Sequence, residues 1–344
     1  MRLSKVFSML KLFSGIALAS GALVITAGMN VKAATESENN DRMSSANSIS
    51  VNEAVGGRLS ERDDDDWYKF TIDNKGCGAL SLTFWHDDCE IDEYYDQWTV
   101  YLFNSEGGVI KRLVDSEGGD ATTEYSEVLF DVKKGTYYIK VQHAWGGRSD
   151  ADYKFTVNCI KSGELPTKIL GLDCDWYTVN GKSYWYEEFA RQGTYDDPQG
   201  VMGDGTVRGR EIYDSNSYGW YWLDACYDGA KAVGKEVWMP YIYQDEANWD
   251  EITIRNIANE SDTGMEECVL NAMLNHTGKW VRYDENGRML KGWVTIEGKL
   301  ATLYPSQAGN KYYYDTRTGL MARGYVTIWG VDHYFDEITG VMQW

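Results

Sequence analysis

Between residues 66 and 160 apolar side chains recur at every second position. Tyr68, Phe70 and Ile72 fall on one side of the chain, as do Leu80, Leu82 and Phe84. The same holds for Val100 and Leu102, Val128 and Phe130, Tyr137, Ile139 and Val141, and Tyr153, Phe155 and Val157. A period of two belongs to strands with one buried face. About eight such strands with turn-rich spacers predict a β-sandwich or jelly roll over 34–162. A short linker is expected at 163–168, around Leu165-Pro166. After it the alternation gives way to brief aromatic runs between turns. Asn180-Gly181 is the strongest short hairpin signal, and aromatic residues flank it. Residues 219–224 read as a second aromatic strand, followed by a short helix over 225–233. A helical period appears only in an insert. Met265, Cys268, Val269, Ala272, Met273 and His276 predict an amphipathic helix over 264–276. The pattern Thr263-Gly264-Met265-Glu266 suits a capping box at its start. His276 suits the helix C-terminus, where it complements the dipole. Residues 249–260 are also expected to be helical.

From 279 onward the chain repeats itself. Lys279-Trp280-Val281-Arg282-Tyr283, a polar turn ending at Gly287, Met289, then Gly292-Trp293-Val294-Thr295-Ile296 form one unit. Lys311-Tyr312-Tyr313-Tyr314, a turn ending at Gly319, Met321, then Gly324-Tyr325-Val326-Thr327-Ile328 form the next. His333-Tyr334-Phe335, Gly340 and Met342 begin a third. Strands on both sides of a short turn with Gly near its end predict a β-hairpin. Self-similarity at this period predicts stacked units that cannot bury their apolar faces alone. The expected fold class is therefore mainly all-β. It comprises an N-terminal jelly-roll-like sandwich, divergent aromatic repeats with a small helical insert over 169–278, and hairpin repeats over 279–344.

These last residues resemble the choline-binding and glucan-binding repeats of secreted Gram-positive surface proteins. The shared pattern is Gly-Trp, an aromatic run, a Gly turn, and Met before the next Gly-Trp; here the second Gly-Trp is Gly324-Tyr325. In that family aromatic rings of successive hairpins form cages for a choline headgroup or a sugar ring. The resemblance makes Trp280, Tyr283, Trp293, Tyr312, Tyr314, Tyr325 and Tyr334 the candidate cage residues. Such rings attract a quaternary ammonium and offer flat faces to sugars. Packing between hairpins is the alternative role for the same rings.

The amino terminus reads as an address. Arg2, Lys5 and Lys11 precede an apolar run from Leu12 to Ala27, and Val31-Lys32-Ala33 places small residues before a cleavage point after Ala33. This is the pattern of a secretory signal peptide over 1–33. No other run reaches the length needed to span a membrane. The net charge of −20 argues against nucleic acid as a partner and favours cation binding. Abundant Trp and Tyr, frequent Gly and scarce Pro suit β-structure rich in turns. Six cysteines in an exported chain permit disulfides, and the sequence cannot choose among their pairings. Cys77 and Cys89 flank one predicted strand and are the first pair to consider; free buried thiols are the alternative.

The stretch from Ala46-Asn47-Ser48-Ile49 through Gly57-Arg58-Leu59 to Asp63-Asp64-Asp65-Asp66-Trp67-Tyr68-Lys69-Phe70 resembles the bacterial pre-peptidase C-terminal domain. So do Lys134-Gly135-Thr136-Tyr137-Tyr138-Ile139-Lys140-Val141 and Tyr153-Lys154-Phe155. That family includes collagen-binding domains whose Glu-x-Glu-x-Asn-Asp linker binds calcium together with Asp residues before the aromatic strand. Here the linker is Glu36-Ser37-Glu38-Asn39-Asn40-Asp41. The resemblance implies Glu36, Glu38, Asn40, Asp41, Asp63 and Asp66 as calcium ligands. Calcium takes hard oxygens in irregular geometry and would relieve the repulsion among consecutive Asp residues. A solvated acidic loop is the alternative. Residues 87–96 read as a further acidic surface loop.

No nucleophile elbow, zinc motif or phosphate loop is present, and the four His are scattered. Asp173/Asp175 and Glu187/Glu188 are the carboxylate pairs closest to a glycosidase arrangement. The expected function is that of a secreted, non-catalytic, cell-wall-associated protein. Its repeats would hold wall choline, teichoic acid or a glycan, and its sandwich would serve as a spacer or bind a host or surface protein. A small hydrolase within 163–278 and a purely protein-binding adhesin are the rivals.

Overall fold

The computed structural model describes residues 34–59, 65–86, 97–116, 123–144, 151–197, 200–202, 208–243 and 246–344. The expected signal peptide, Asp63, and the acidic loop 87–96 with Cys89 lie outside them. Among the described residues no helix is long and apolar enough to cross a membrane. The chain is mainly β, in several antiparallel sheets with small helices towards the C-terminus.

Residues 34–161 form two facing sheets. One runs Ala34–Thr35, Ala54–Leu59, Ala151–Lys161, Cys77–His86, Thr123–Tyr125, with Leu129–Val132 also paired to Cys77–His86. The other runs Asn47–Ser48, Asp65–Ile72, Gly135–Ala144, Gln97–Phe103, Val109–Ser116. The alternation read from the sequence holds. Tyr68, Phe70, Ile72, Leu80, Leu82, Phe84, Val100, Leu102, Ile139, Val141, Tyr153, Phe155 and Val157 fill one core between the sheets. Strand Leu129–Val132 departs from the expected facing. Leu129 and Val132 pack on that core, whereas Val128 turns to a second cluster and Phe130 lies against Tyr177, 5.9 Å between centroids.

That second cluster explains the departure. Ala79, Val128 and Ile160, on the outer side of the sandwich, pack with Ile169, Leu172, Tyr177, Val179, Tyr184 and Tyr186. The sheet is buried on both faces here, so a period of two no longer separates inside from outside. The 163–168 segment is tied down in the same place: Tyr177 donates to the Glu164 carbonyl at 3.2 Å and Tyr186 to that of Pro166 at 2.6 Å. Asn180 and Gly181 both take positive φ, 52° and 75°, as the expected hairpin turn requires. This hairpin joins a seven-stranded sheet in the order Asp175–Val179, Lys182–Glu187, Ala230–Lys231, Gly219–Asp224, Arg208–Asp214, Val201–Met202, with Ala190–Arg191 beside Lys182–Glu187. The helix expected at 225–233 shrinks to one 3-10 turn, Ala225–Tyr227. Asp224 caps it, and Asp228 ends it with φ 58°.

The insert holds α1 (Glu251–Ala258) and α2 (Glu266–Leu274). Asp250 caps α1 through the Thr253 amide. The expected capping box is not formed: Met265 takes the N-cap position without a side-chain cap, and Glu266 accepts from the Gly264 amide at 2.6 Å rather than from Thr263. His276 lies past the end of α2 with φ 49° and faces the buried Glu246 at 3.8 Å. Cys77 is a free, buried thiol beside Cys159 on the adjacent strand, so it is not bonded to Cys89. It points into the sandwich and donates to the Ala79 carbonyl at 2.9 Å.

Candidate functional site

The repeat module is built from three hairpins whose register differs from the sequence reading. The aromatic run pairs with the strand before it, not with the Met run after it. Glu236–Met239 pairs with Lys279–Arg282, Gly292–Thr295 with Lys311–Tyr314, and Gly324–Ile328 with Val331–Phe335. The Met runs make only single bridges, Tyr283 to Met289, Tyr314 to Met321 and Phe335 to Met342. The intervening turn is too tightly closed to start a ladder. In each, an Asp (284, 315, 336) accepts backbone amides within the turn through its side chain and the amide of the turn Gly through its carbonyl. The first hairpin spans the whole helical insert, so a division at 278/279 falls between its two strands.

The turn glycines have a second duty. A Cβ on Gly319 would lie 2.5 Å from Met289 Sδ, and one on Gly340 would lie 2.6 Å from Met321 Sδ. Each methionine thus nests on the turn of the following repeat, where only a positive-φ Gly leaves room. A short helix, α3 (Gly298–Leu303), fills the loop of the second hairpin.

These contacts decide which aromatic rings can meet a ligand. Tyr283, Tyr312 and Tyr314 are buried and cannot form cages. Two of them serve an internal cation: the Arg282 guanidinium lies 4.2 Å from the Tyr312 centroid and donates to the Tyr314 hydroxyl at 2.9 Å. Arg282 also pairs with Glu236 at 2.6 Å. Burial pushes the Tyr314 hydroxyl up against the opposing pull of Arg282, so it remains protonated. Trp293 is half-buried, and Lys311 Nζ lies over it at 4.5 Å. Two faces expected to receive an external cation therefore carry the chain's own. Tyr325 is 76% exposed and clusters with half-buried Tyr334 and with Trp344, 4.7 and 5.9 Å away. These rings form an open surface rather than a cleft.

Trp280 lines a cleft of about 450 Å³. Its partner is Trp238, directly opposite in the first hairpin and hence on the same face. Asn271 and Ala272 of α2 with Asn275 at its C-cap form a second wall, and Leu320, Met321 and Arg323 of the next repeat a third. Gly278 lets the backbone pass under the Trp238 ring, which a Cβ there would approach to 3.0 Å. Sequence reasoning missed Trp238 and Arg323. Trp238 lacks a preceding Gly-aromatic signal, and about forty residues separate it from its strand partner. The available signal was Val237, which falls at the position of Val294 and Val326 once strands are aligned from the aromatic runs backwards. A larger, shallower hollow of about 620 Å³ on the sandwich is lined by Ser48, Ile49, Val51, Lys69 and Tyr138 and has no facing ring pair.

On the sandwich, two of the residues implied as calcium ligands, Glu36 and Asp66, gather around two tyrosines. Glu36 accepts from the Arg58 amide at 2.5 Å and from Tyr68 at 2.7 Å. Tyr153 lies 2.5 Å from Asp66 Oδ2 and 3.3 Å from Glu36 Oε2. Burial and the nearby Asp66 and Glu36 carboxylates raise both hydroxyls, which keeps them as donors. Gly57 makes this possible, because a Cβ there would collide with both hydroxyls. Asn40 is fully buried, and among the described residues neither its Oδ1 nor its Nδ2 finds a hydrogen-bond partner. Its backbone carbonyl accepts from the Trp67 amide at 3.0 Å, and an orphaned side-chain oxygen beside that strand suits a hard cation. Glu38 and Asp41 are exposed. Among the described residues no three His, Cys, Asp or Glu side chains are placed to hold a metal.

Three of the four carboxylates hold local structure. Asp173 accepts from the Glu188 amide at 2.6 Å, Asp175 from the Trp176 amide at 2.7 Å, and Glu187 pairs with Arg210.

No family model matches the chain, and no curated protein matches it. Among solved structures, the pre-peptidase C-terminal domain of a collagenase from Bacillus anthracis is similar at 21% identity over 33% of this chain and 94% of that one, with a TM-score of 0.23. CbpJ from Streptococcus pneumoniae is similar at 13% identity over 73% of this chain and 59% of that one, TM-score 0.28. Choline binding protein F from the same organism is similar at 15% identity over 73% and 65%, TM-score 0.27. This chain thus spans under two thirds of either pneumococcal protein. Matches this remote leave function to be argued from the site itself.

Proposed function

We propose that this is an extracellular, non-catalytic binding protein, secreted and associated with the cell wall, whose repeat module holds a glycan or other wall polymer. One observation carries the reading: the Trp238/Trp280 cleft, walled by α2 and by the following repeat. Two indole faces on one side of a hairpin give a flat, apolar platform, and the Asn side chains at the rim offer amide donors and acceptors. That combination matches a sugar ring, which has apolar faces and hydroxyl edges. The sandwich acts as a spacer or adhesive unit for a host or surface protein.

The test is retention of the protein on purified walls and on insoluble polysaccharides. Wild type is expected to stay bound, and Trp280→Ala to wash through at least tenfold faster. Equal retention of both variants would overturn the reading.

A second observation, the orphaned Asn40 side chain, favours calcium at the strap over the sandwich. Asn40, Asp66 and Asp63 would hold the ion, and its role would be to fasten residues 36–41 to the sheet. Thermal melts with calcium and with chelator test this. A higher Tm with calcium, lost in Asn40→Ala, is expected; identical melts would remove the ion.

A further inference from the structure

The charge of the cleft is opposite to that of the chain. Acidic residues outnumber basic ones 53 to 33, yet no Asp or Glu lines the cleft, and its one charged side chain is Arg323. The cations around it are paired: Arg282 with Glu236 at 2.6 Å, Lys279 with Glu211 at 3.2 Å and Arg317 with Glu260. Arg323 is not. Its Nη1 donates to the Glu337 carbonyl at 3.3 Å, and among the described residues it has no carboxylate within ion-pair distance. A guanidinium presents a planar fork of donors that fits a carboxylate in two-point contact. A quaternary ammonium in the same cleft would meet a like charge, with Glu236 and Asp336 near Arg323 but no acid on the cleft wall itself.

Resting on the glycan-binding reading above, we propose that the cleft selects an acidic sugar, with its ring against Trp238 and Trp280 and its carboxylate on Arg323. Selection then comes from Arg323, and general affinity from the indoles. Arg323 occurs in the segment between Met321 and Gly324, where the preceding repeat has Leu290 and Lys291. In the second hairpin Thr295 and Lys311 stand at the positions of Trp238 and Trp280, and its one aromatic pair, Trp293 with Tyr313, is covered by Lys311 and by Tyr313's own burial. The Trp238/Trp280 cleft is therefore where ring faces and an available cation coincide.

The experiment titrates the full chain by tryptophan fluorescence with glucuronic acid, N-acetylmuramic acid, glucose, N-acetylglucosamine and choline chloride. Each acid is expected to bind at least tenfold tighter than its neutral counterpart. Arg323→Gln should erase that difference and leave the neutral sugars unchanged, with Arg323→Lys recovering part of it. Asn275→Asp, at the C-cap of α2, should weaken the acids more than the neutral sugars, with melts reading separately the loss of its Nδ2 bond to the Asn271 carbonyl. Equal binding of acidic and neutral sugars, insensitive to Arg323→Gln, would overturn the acid selection while leaving the glycan reading intact. Choline bound tighter than every sugar would overturn it too. Failure of the chain to hold any wall or polysaccharide would sink both.

Discussion

In the sandwich, Tyr68, Phe84, Trp98 and Phe155 meet in one continuous core between two sheets. After the sandwich, buried side chains fall instead into several separate clusters, the largest of which joins α1 and α2 to the last repeats. The cluster around Val294, Tyr312 and Tyr314 takes Trp280 from the hairpin before it and Val341 from the repeat after it. The sandwich closes its main core between its own two sheets, though one sheet's outer side also packs on the next module, whereas no single repeat closes a core. The difference bears on binding. A continuous core spends its aromatic rings on packing, while a stack leaves rings half-covered at each joint, and one joint opened by α2 becomes the Trp238/Trp280 cleft.

The largest effect expected from this contrast is in the sandwich. Phe84→Ala should cost about 3–5 kcal/mol, since the ring is fully buried and lies 5.6 Å from Trp98 and 5.9 Å from Tyr153. Urea unfolding should show one sharp transition moved to lower denaturant. A loss under about 1 kcal/mol would mean the core is not shared as described.

Next comes the joint between repeats. Gly309→Ala meets nothing within 4 Å, so it carries only the strain of φ 83°, about 1–2 kcal/mol. Gly319→Ala carries the same strain and also displaces Met289, adding about 1–3 kcal/mol of overpacking. Equal melting points for the two variants would show that methionine nesting does not hold neighbouring units together.

A smaller effect is set by pH. Burial, with Lys279 nearby, holds the Lys291 ammonium down to about 8. Between about 8 and its ordinary 10.5, the unfolded chain binds a proton that the folded chain has lost, so this residue makes stability rise with pH. Melts at pH 8 and 10 should therefore show a larger upward trend for wild type than for Lys291→Met; parallel trends would place Lys291 in solvent.

The smallest change is expected at Glu246, whose carboxyl burial raises above the usual range. Its ionised form costs stability that returns as pH falls through its folded pKa. Its Oε2 accepts the Ile242 and Tyr243 amides, contacts a Gln can keep. Glu246→Gln should thus match or exceed wild type by up to about 1 kcal/mol at pH 7. A loss of several kcal/mol would show that the charge facing His276 is needed.

Much of the sandwich was legible because its strands have one wet face. Phe70, Leu82, Ile139 and Phe155 reveal their inward direction by the polar residues between them. The hairpin turns were equally plain at Asn180-Gly181. The cleft was only half legible. Trp280 stands in the repeat pattern, but Trp238 is brought to it across two helices, and Arg323 arrives from the next unit. Tyr283, Tyr312 and Tyr314 have the same local surroundings in sequence as cage aromatics and are nonetheless sealed.

The sequence by itself determined the mainly-β class, the facing of most sandwich strands, the turn glycines and the helical insert. All are set within a few residues by period, φ preference and capping. Only the tertiary structure decided which strand each aromatic run pairs with, which rings stay open, and that an unpaired guanidinium faces two indoles. Those outcomes depend on side chains distant along the chain competing for the same faces, and a ring covered by Arg282 or Lys311 looks in sequence no different from one left bare.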